Sequence, residues 1–545
     1  MDKSSDWRRF NELFFSNPKL SISMDFSHME LQPDFPARLQ KELTKALDDM
    51  ESLEAGALAN PDEKRMVGHY WLRAPDLAPS EEIKDEIIEA LQGVREFAAQ
   101  VHFGSQLSST GKKFTNVFLL GIGGSILGPE LLRAALSGPQ DKMKLHFLDN
   151  TDPDGYYMAF RRLHHELDRT LCVVVSKSGE TMETLNAMKE TKAAFARSGL
   201  DFAKQAVAIT GPGSSLEKRA KQEEWLRTFP IWEWVGGRTS LFSPVGMLPA
   251  ALMGLDIDAL LKGAARMDRA TRKRELKQNP AALLAGAWYE AVNGSDLGEM
   301  VVLPYKDRLQ LWTRYLQQLL MESLGKATDL DGKEVHSGIV VYGNKGSFDQ
   351  HVLLQHLCDG PVGPFVVFLH VLRDVCGAAW GSGGAWDVEE KVEPETTSGD
   401  CLLAQMLGTR HALKRKHRPS MTLAIQRLDP PSLGQLVALH ERAVGLYASL
   451  VRVNAYNQPS LELGKEEARW VLESQKKVMS ILREAQPEPL SSAQIARKAG
   501  FGDRVETVYK LLTHLAANVN RGVRRRKAST PDKEEFWWEK GTSRG

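Results

Sequence analysis

Apolar residues along this chain fall into short runs separated by stretches that repeat at helical spacing. The run at 173–175 breaks into Ser176-Lys177-Ser178-Gly179-Glu180-Thr181, after which Met182, Leu185 and Met188 begin an apolar stripe of helical period. That pattern predicts a buried strand, a loop and a helix. The same succession recurs around it. A strand at 117–120 leads through a glycine turn into a helix carrying Leu127, Leu131 and Leu132, and further strands are predicted at 144–148, 171–175 and 205–210. Apolar strands alternating with helices predict a parallel sheet covered on both faces. Such sheets bind ligands at the turns leaving their strand ends.

A second α/β series follows. A strand at 300–303 leads into a long helix at 309–324, strands at 339–342, 365–369 and 422–426 complete a second sheet, and 433–450 reads as another helix. Two units of similar length imply an internal duplication, although the sequence shows no convincing repeat. Upstream, Ile87, Ile88, Leu91, Val94 and Phe97 mark an amphipathic helix at 81–101. The first hundred or so residues otherwise read as helical and polar, with no clear strand. From about 486 the tail reads as helix, helix and basic strand, the rough outline of a winged helix, with 12 basic against 7 acidic residues. No segment presents a clear recognition helix with base-reading residues, so a small packing module with solvated charges is the expected reading.

Composition narrows the class. A length of 545 residues exceeds one core and predicts about two to four domains. The 42% hydrophobic and 26% charged residues are those of a soluble globular protein. Seventy basic residues balance 70 acidic ones, so no global field argues for nucleic acid or a membrane. The start, MDKSSDWRRFNELF, has no apolar core of signal-peptide length, and no run is long enough to span a bilayer. The four cysteines lie far apart without a C-x-x-C pair, which fits a reducing cytoplasm and argues against a zinc site or a disulfide framework.

The chemistry-bearing residues sit in the loops. Ser176, Ser178 and Thr181 offer hydroxyls beside Lys177 at a helix N-terminus, where unpaired N–H groups and a partial positive charge suit a phosphate. The plainer alternative is an ordinary capped strand–turn–helix. GIGGSILG at 121–128 is not a dinucleotide fingerprint: Ile126 stands where the third glycine belongs, and no acidic ribose partner is obvious at the usual distance. Its backbone N–H groups, the bare Gly124 and Ser125 suit the close approach of a sugar hydroxyl. Further on come VGGRTSLFSPVG with Arg238, MESLGK with Glu322, YGNKGSFDQH with His351, and NQPSLELGK with Gln458 and Lys465. Taken singly each has an ordinary reading: a solvated carboxylate, a backbone-bonded histidine, a surface lysine, a paired arginine.

Together with GIGGS and SKSGET, these segments resemble the phosphoglucose isomerase family in content and order, from about 121 to 465, and the flanks are similar to its bacterial and plastid branch. The resemblance implies an α/β fold of two doubly wound parallel-sheet sugar-isomerase domains. It implies a helical N-terminal region at 1–105, a first sugar-isomerase domain with connecting helices at 106–298 and a second at 299–430. Helices completing the active site would lie at 431–485, and a small winged-helix-like basic tail at 486–545. It implies a cytoplasmic homodimer with its sites at the subunit interface. The activity would be the reversible conversion of D-glucose 6-phosphate to D-fructose 6-phosphate, in glycolysis and gluconeogenesis, without metal or organic cofactor. Neither a membrane nor nucleic acid is expected as a partner.

On the family's motifs the catalytic glutamate is Glu322, the ring-opening histidine is His351, supplied by the other subunit, and Lys465 and Arg238 complete the catalytic set. Gly124, Ser125 and Gln458 would bind substrate, and Ser176, Ser178 and Thr181 its phosphate with Lys177 alongside. These residue types suit the reaction. His351 and Lys465 would assist opening of the hemiacetal. A carboxylate would move one proton between C2 and C1 on one face of a cis-enediol. The fixed cation of Arg238 would stabilise the enediolate, while the unreactive phosphate anchors the reacting carbons.

Some positions depart from the family's pattern. SKSGET stands where many members carry a Thr/Phe/Thr-rich loop, Pro459-Ser460 where other branches carry an aromatic-Gly pair, and GAAWGSGGAW at 377–386 reads as a flexible insertion. Glu180, inside the phosphate loop, is expected to point outward. Two alternatives follow: a dual isomerase that also accepts mannose 6-phosphate, and a sugar-phosphate sensor controlling a DNA-binding tail. A pure sensor would have no need of Glu322, His351 and Lys465 together.

Overall fold

The amino-terminal segment, expected to lack strands, supplies two of them. The structure, a computed structural model, describes residues 3–295, 297–374 and 392–539. After the helix Lys3–Glu12, strands β1 (Phe14–Asn17) and β2 (Ile22–His28) pair antiparallel. Buried polar residues hide β2 from a hydropathy reading: Asp25 accepts from the Ser27 amide at 2.8 Å and pairs with Arg410.

The first sheet comprises β3 (Asn116–Leu120), β4 (Lys144–Leu148), β5 (Thr170–Ser176), β6 (Ala206–Thr210) and β7 (Arg227–Pro230). Its order is β4-β3-β5-β6-β7, with every neighbour parallel. Successive side chains point to opposite faces of a strand, so Val117, Leu119, Val173 and Val175 enter one core while Phe118, Leu120 and Val174 enter another. Burying each such valine contributes about 1.5–3 kcal/mol. This double burial is why the strands read as unbroken apolar runs.

The second sheet contains β8 (Glu299–Pro304); beyond the hairpin β9 (Lys326–Thr328) and β10 (Glu334–Ser337) it continues with β11 (Val340–Tyr342), β12 (Pro364–Val371) and β13 (Ser420–Ile425). The order is β1-β2-β13-β12-β8-β11. Strands β13, β12, β8 and β11 are parallel, and β2 joins β13 antiparallel. The helix expected at 309–324 is interrupted. It is a 3₁₀ turn at Asp307–Leu309, an α-helix at Trp312–Leu316 and a π-helix at Gln317–Glu322.

Helices Ile257–Thr271 and Pro430–Leu450 pack together in the main core. They carry a buried charge network: Arg73 Nε and Nη2 grip Asp268 at 2.6 and 3.0 Å, Arg73 also pairs with Glu441, and Arg442 with Asp268 at 3.2 Å and with Glu54.

The chain divides into two compact units, Met1–Asn457 and Gln458–Gly545. In the second, the helix Pro459–Glu484 precedes β14 (Leu490–Ser491), helices Ser492–Ala499 and Val505–Ala517, β15 (Val523–Arg526) and β16 (Glu535–Trp538). Its sheet runs β14-β16-β15 around a core of Val478, Leu482, Ile495, Val508, Leu512 and Phe536. Helix, strand, two helices and a hairpin are winged-helix connectivity. The basic strand is internally neutralised: Arg524 pairs with Glu539, Arg525 with Glu534 and Arg526 with Glu535, each at 2.6 Å. The segment 377–386 lies outside the described residues. Among those described, no helix is long and apolar enough to cross a membrane, and Cys172, Cys358 and Cys401 are free thiols.

Candidate functional site

Strands β3 and β5 are parallel neighbours, so the turns after them leave the same sheet edge. After β5, Ser176 Oγ accepts from the Gly179 amide at 3.1 Å and shares a 2.9 Å hydrogen bond with Thr181 Oγ1. Ser178 Oγ accepts from the Glu180 amide at 3.1 Å, and Glu180 itself is exposed. Thr181 stands at the N-cap of the helix Met182–Arg197 but makes no side-chain cap. The first-turn N–H groups therefore keep their capacity to bind an anion. Lys177 Nζ turns to the carbonyls of Glu233 and Val235, at 2.9 and 3.1 Å. Burial, helped by Arg65, lowers its pKa to about 8 against the pull of Glu233. Lys177 thus ties this turn to the segment leading into Gly236-Gly237-Arg238.

The turn after β3 meets that same segment. A Cβ on Gly124 would lie 2.1 Å from the Gly237 carbonyl oxygen, so no other residue fits there. Gly123, at φ +57°, occupies the left-handed region, and a side chain there would approach Gln318 Nε2. Ser125, half-buried, lies in the first turn of the helix Gly124–Leu136.

Arg238 sits at the centre of this convergence and is only 6% exposed. Its Nε donates to Ser323 Oγ at 2.8 Å, its Nη2 to the carbonyls of Ala455 and Asn457 at 2.5 and 3.1 Å, and its Nη1 pairs with Glu322 Oε1 at 3.0 Å. Burial lowers the pKa of the guanidinium and Glu322 opposes that shift. Five donors in a rigid fork, nearly all assigned, fix the cation's direction. Glu322, 24% exposed, closes the π-helix, while Leu319 and Leu320 anchor that turn in the core. One-turn π segments recur at functional sites because they re-aim a side chain within a helix. The result is a carboxylate open to a ligand and a buried cation held against it.

The structure thus brings Gly124, Arg238 and Glu322 into one neighbourhood and sets the Ser176–Thr181 turn on the adjoining strand. His351 is exposed at the end of the 3₁₀ turn Phe348–His351, between exposed Phe348 and Val352. Gln458 and Lys465 belong to the second unit. There Gln458 is the N-cap of Pro459–Glu484, and Lys465, 45% exposed, pairs with Glu462 at 2.6 Å.

Sequence reasoning overlooked two residues in this neighbourhood. Ser323 holds Arg238, and Lys326 Nζ donates to the carbonyls of Glu322 at 2.7 Å and Asn457 at 3.1 Å. Burial and Arg238 lower the Lys326 pKa to about 8. Both lie in MESLGK, one and four positions after Glu322, and no pattern in that segment marks either as a partner of Arg238 or of the Glu322 carbonyl.

Comparison with known proteins gives a consistent picture. The phosphoglucose isomerase family profile matches residues 25–371 and 387–486. A glucose-6-phosphate isomerase of Citrifermentans bemidjiense is 48% identical over 544 residues, covering all of both chains. One from Thermosynechococcus vestitus is 48% identical, covering 99% of this chain and all of its own. The crystal structure of a glucose-6-phosphate isomerase from Chlamydia trachomatis superposes with a TM-score of 0.76 at 25% identity, covering 86% of this chain and 90% of that one.

Proposed function

The chain belongs to the phosphoglucose isomerase family and catalyses glucose-6-phosphate isomerisation, and we propose how its residues divide that work. Glu322 is the base that takes the C2 proton and returns it to C1. Arg238 neutralises the enediolate that forms between those transfers. The 3.0 Å pairing of a part-open carboxylate with a buried, four-bonded guanidinium carries this reading. A dipole fixed before the reaction costs no reorganisation when charge develops, which is why such groups are worth about 2.7–4 kcal/mol each. The base itself contributes about 10²–10⁴-fold.

The phosphate end does not react. Ser176, Ser178, Thr181 and the first-turn N–H groups of Met182–Arg197 hold it, with Lys177 bracing the turn through backbone carbonyls. Gly124 and Ser125 receive the sugar hydroxyls, and that anchorage makes the proton transfer effectively intramolecular. Ring opening precedes it. Lys465 and His351 assist there, Gln458 binds the sugar, and His351 enters from a second copy of the chain in a homodimer. Exposed Phe348 and Val352 beside His351 support that placement, because apolar side chains on a rim gain from burial at an interface. The enzyme works in the cytoplasm without metal or organic cofactor. The carboxylate partners of Arg524, Arg525 and Arg526 favour a packing role for the small second-unit module over nucleic-acid binding.

The test is turnover of fructose 6-phosphate, coupled to glucose-6-phosphate oxidation, with EDTA present and mannose 6-phosphate as a competing substrate. Robust EDTA-resistant turnover supports the cofactor-free mechanism. Loss of activity restored by a divalent ion would refute it.

A further inference from the structure

Arg238 and Ser323 border a cavity whose other polar lining includes His69, Glu441 and Arg65. Its free volume of about 20 Å³ exceeds the roughly 10–15 Å³ a buried water requires. His69 and Glu441 are 1% and 2% exposed, yet neither His69 ring nitrogen nor Glu441 Oε1 has a hydrogen-bond partner among the described residues. Leaving such groups unpaired costs about 1–3 kcal/mol each, so a built site of this kind calls for a polar occupant.

The donors and acceptors left open around the cavity orient its occupant. Ser323 Oγ already accepts from Arg238 Nε at 2.8 Å, so its own proton is available to the cavity. Glu441 Oε2 accepts from Arg73, which leaves Oε1 to face the cavity, as an acceptor when ionised; burial raises the Glu441 pKa to about 7 against the pull of Arg73. Burial, with Arg73 and Arg442 nearby, holds the His69 pKa well below its ordinary value, so the ring is neutral. A neutral imidazole offers one donor and one acceptor. A water here can accept from the Ser323 hydroxyl and donate one hydrogen bond to ionised Glu441 Oε1 and the other to the bare nitrogen of His69.

We propose that this cavity is an internal water site through which Ser323, His69 and Glu441 act as positioning residues for Arg238. The inference rests on the role proposed above for Arg238. The relay runs from Arg238 Nε to Ser323 Oγ, through the water, to His69 and Glu441. It fixes the direction of the guanidinium, so its loss weakens stabilisation of the enediolate while leaving the phosphate anchor untouched.

The experiment uses the full chain with His69→Leu, Ser323→Ala and His69→Asn, the last keeping a donor and an acceptor on a compact side chain. The first two lose about ten-fold in kcat with KM for fructose 6-phosphate within about two-fold, and His69→Asn recovers to within about three-fold of wild type. Affinity for 5-phospho-D-arabinonate, whose carboxylate mimics the enediolate, falls in parallel with kcat, while affinity for sorbitol 6-phosphate holds. Wild-type kcat in both His69→Leu and Ser323→Ala overturns the proposal, as do equal losses for the two analogues. If His69→Leu fails to fold, Ser323→Ala alone decides. The Arg238 reading fails separately: it falls if Arg238→Ala keeps kcat, whereas an inactive Arg238→Ala beside intact His69→Leu and Ser323→Ala removes the water site only.

Discussion

Arg238 and Lys465 are both cations assigned to the same reaction, and their surroundings differ sharply. Arg238 is buried in the first unit, with its donors assigned to Ser323, Ala455, Asn457 and Glu322. Lys465 is 45% exposed on a helix of the second unit and, among the described residues, pairs with Glu462, one turn away. Burial and multiple bonds suit a group that must face a charge as it develops, because its value lies in not moving. An exposed lysine on a flexible stem suits a group that shuttles a proton during ring opening and then withdraws. On the roles proposed for these two cations, the enediolate end is rigid and the ring-opening end adaptable.

The largest effect is expected on removing the rigid cation. Arg238→Ala should lower kcat by about 10²–10³-fold, the range for a lost oxyanion donor, read by the coupled assay. A smaller loss is expected at the adaptable end. Lys465→Ala should lower kcat by about 10²-fold, the low end for a lost general acid–base group, and the deficit should shrink with an open-chain substrate analogue that needs no ring opening. An equal deficit with both substrates would move Lys465 into the proton-transfer step.

The charge network of the main core supplies a test of rigidity itself. Burial works to raise the Asp268 pKa, but Arg73 and Arg442 together hold it at about 2, below its ordinary 3.8. A depressed carboxylate stabilises the fold above its unfolded pKa. That contribution is therefore complete above pH 3.8 and is lost as pH falls through about 2. Asp268→Asn should cost about 3–5 kcal/mol at neutral pH, because it leaves buried guanidinium charge uncompensated, and should flatten the acid limb of urea-measured stability. The smallest effect is expected at the anchor. Ser176→Ala should raise KM for both sugar phosphates by about five- to ten-fold with little change in kcat, the mark of uniform binding.

Much of this organisation is legible in the sequence because double burial writes strands as apolar runs. Strands β3, β5 and β6 are such runs, and their predicted positions hold to within about a residue. Strand β2 escaped because Asp25 and Ser27 interrupt its apolar pattern, and the partner that neutralises Asp25 in the core, Arg410, lies far away in the sequence. The π segment at Gln317–Glu322 escaped because its apolar spacing is that of any helix. Among site residues, motif content placed Arg238 and Glu322 in their segments, whereas Ser323 and Lys326 act through backbone and side-chain geometry that spacing does not encode. His69 carries no local signature of any kind. Its meaning depends on sharing a cavity with residues more than a hundred positions away.

Glu322→Gln is the sharpest probe of the proposed proton transfer, since it removes the carboxylate's charge with almost no change in volume. With Glu322 as the base, kcat falls by at least about 10²-fold while affinity for sorbitol 6-phosphate stays at the wild-type value, which is the expected result. A variant that keeps more than about a tenth of wild-type turnover would contradict it, and would return the proton-transfer step to some other group.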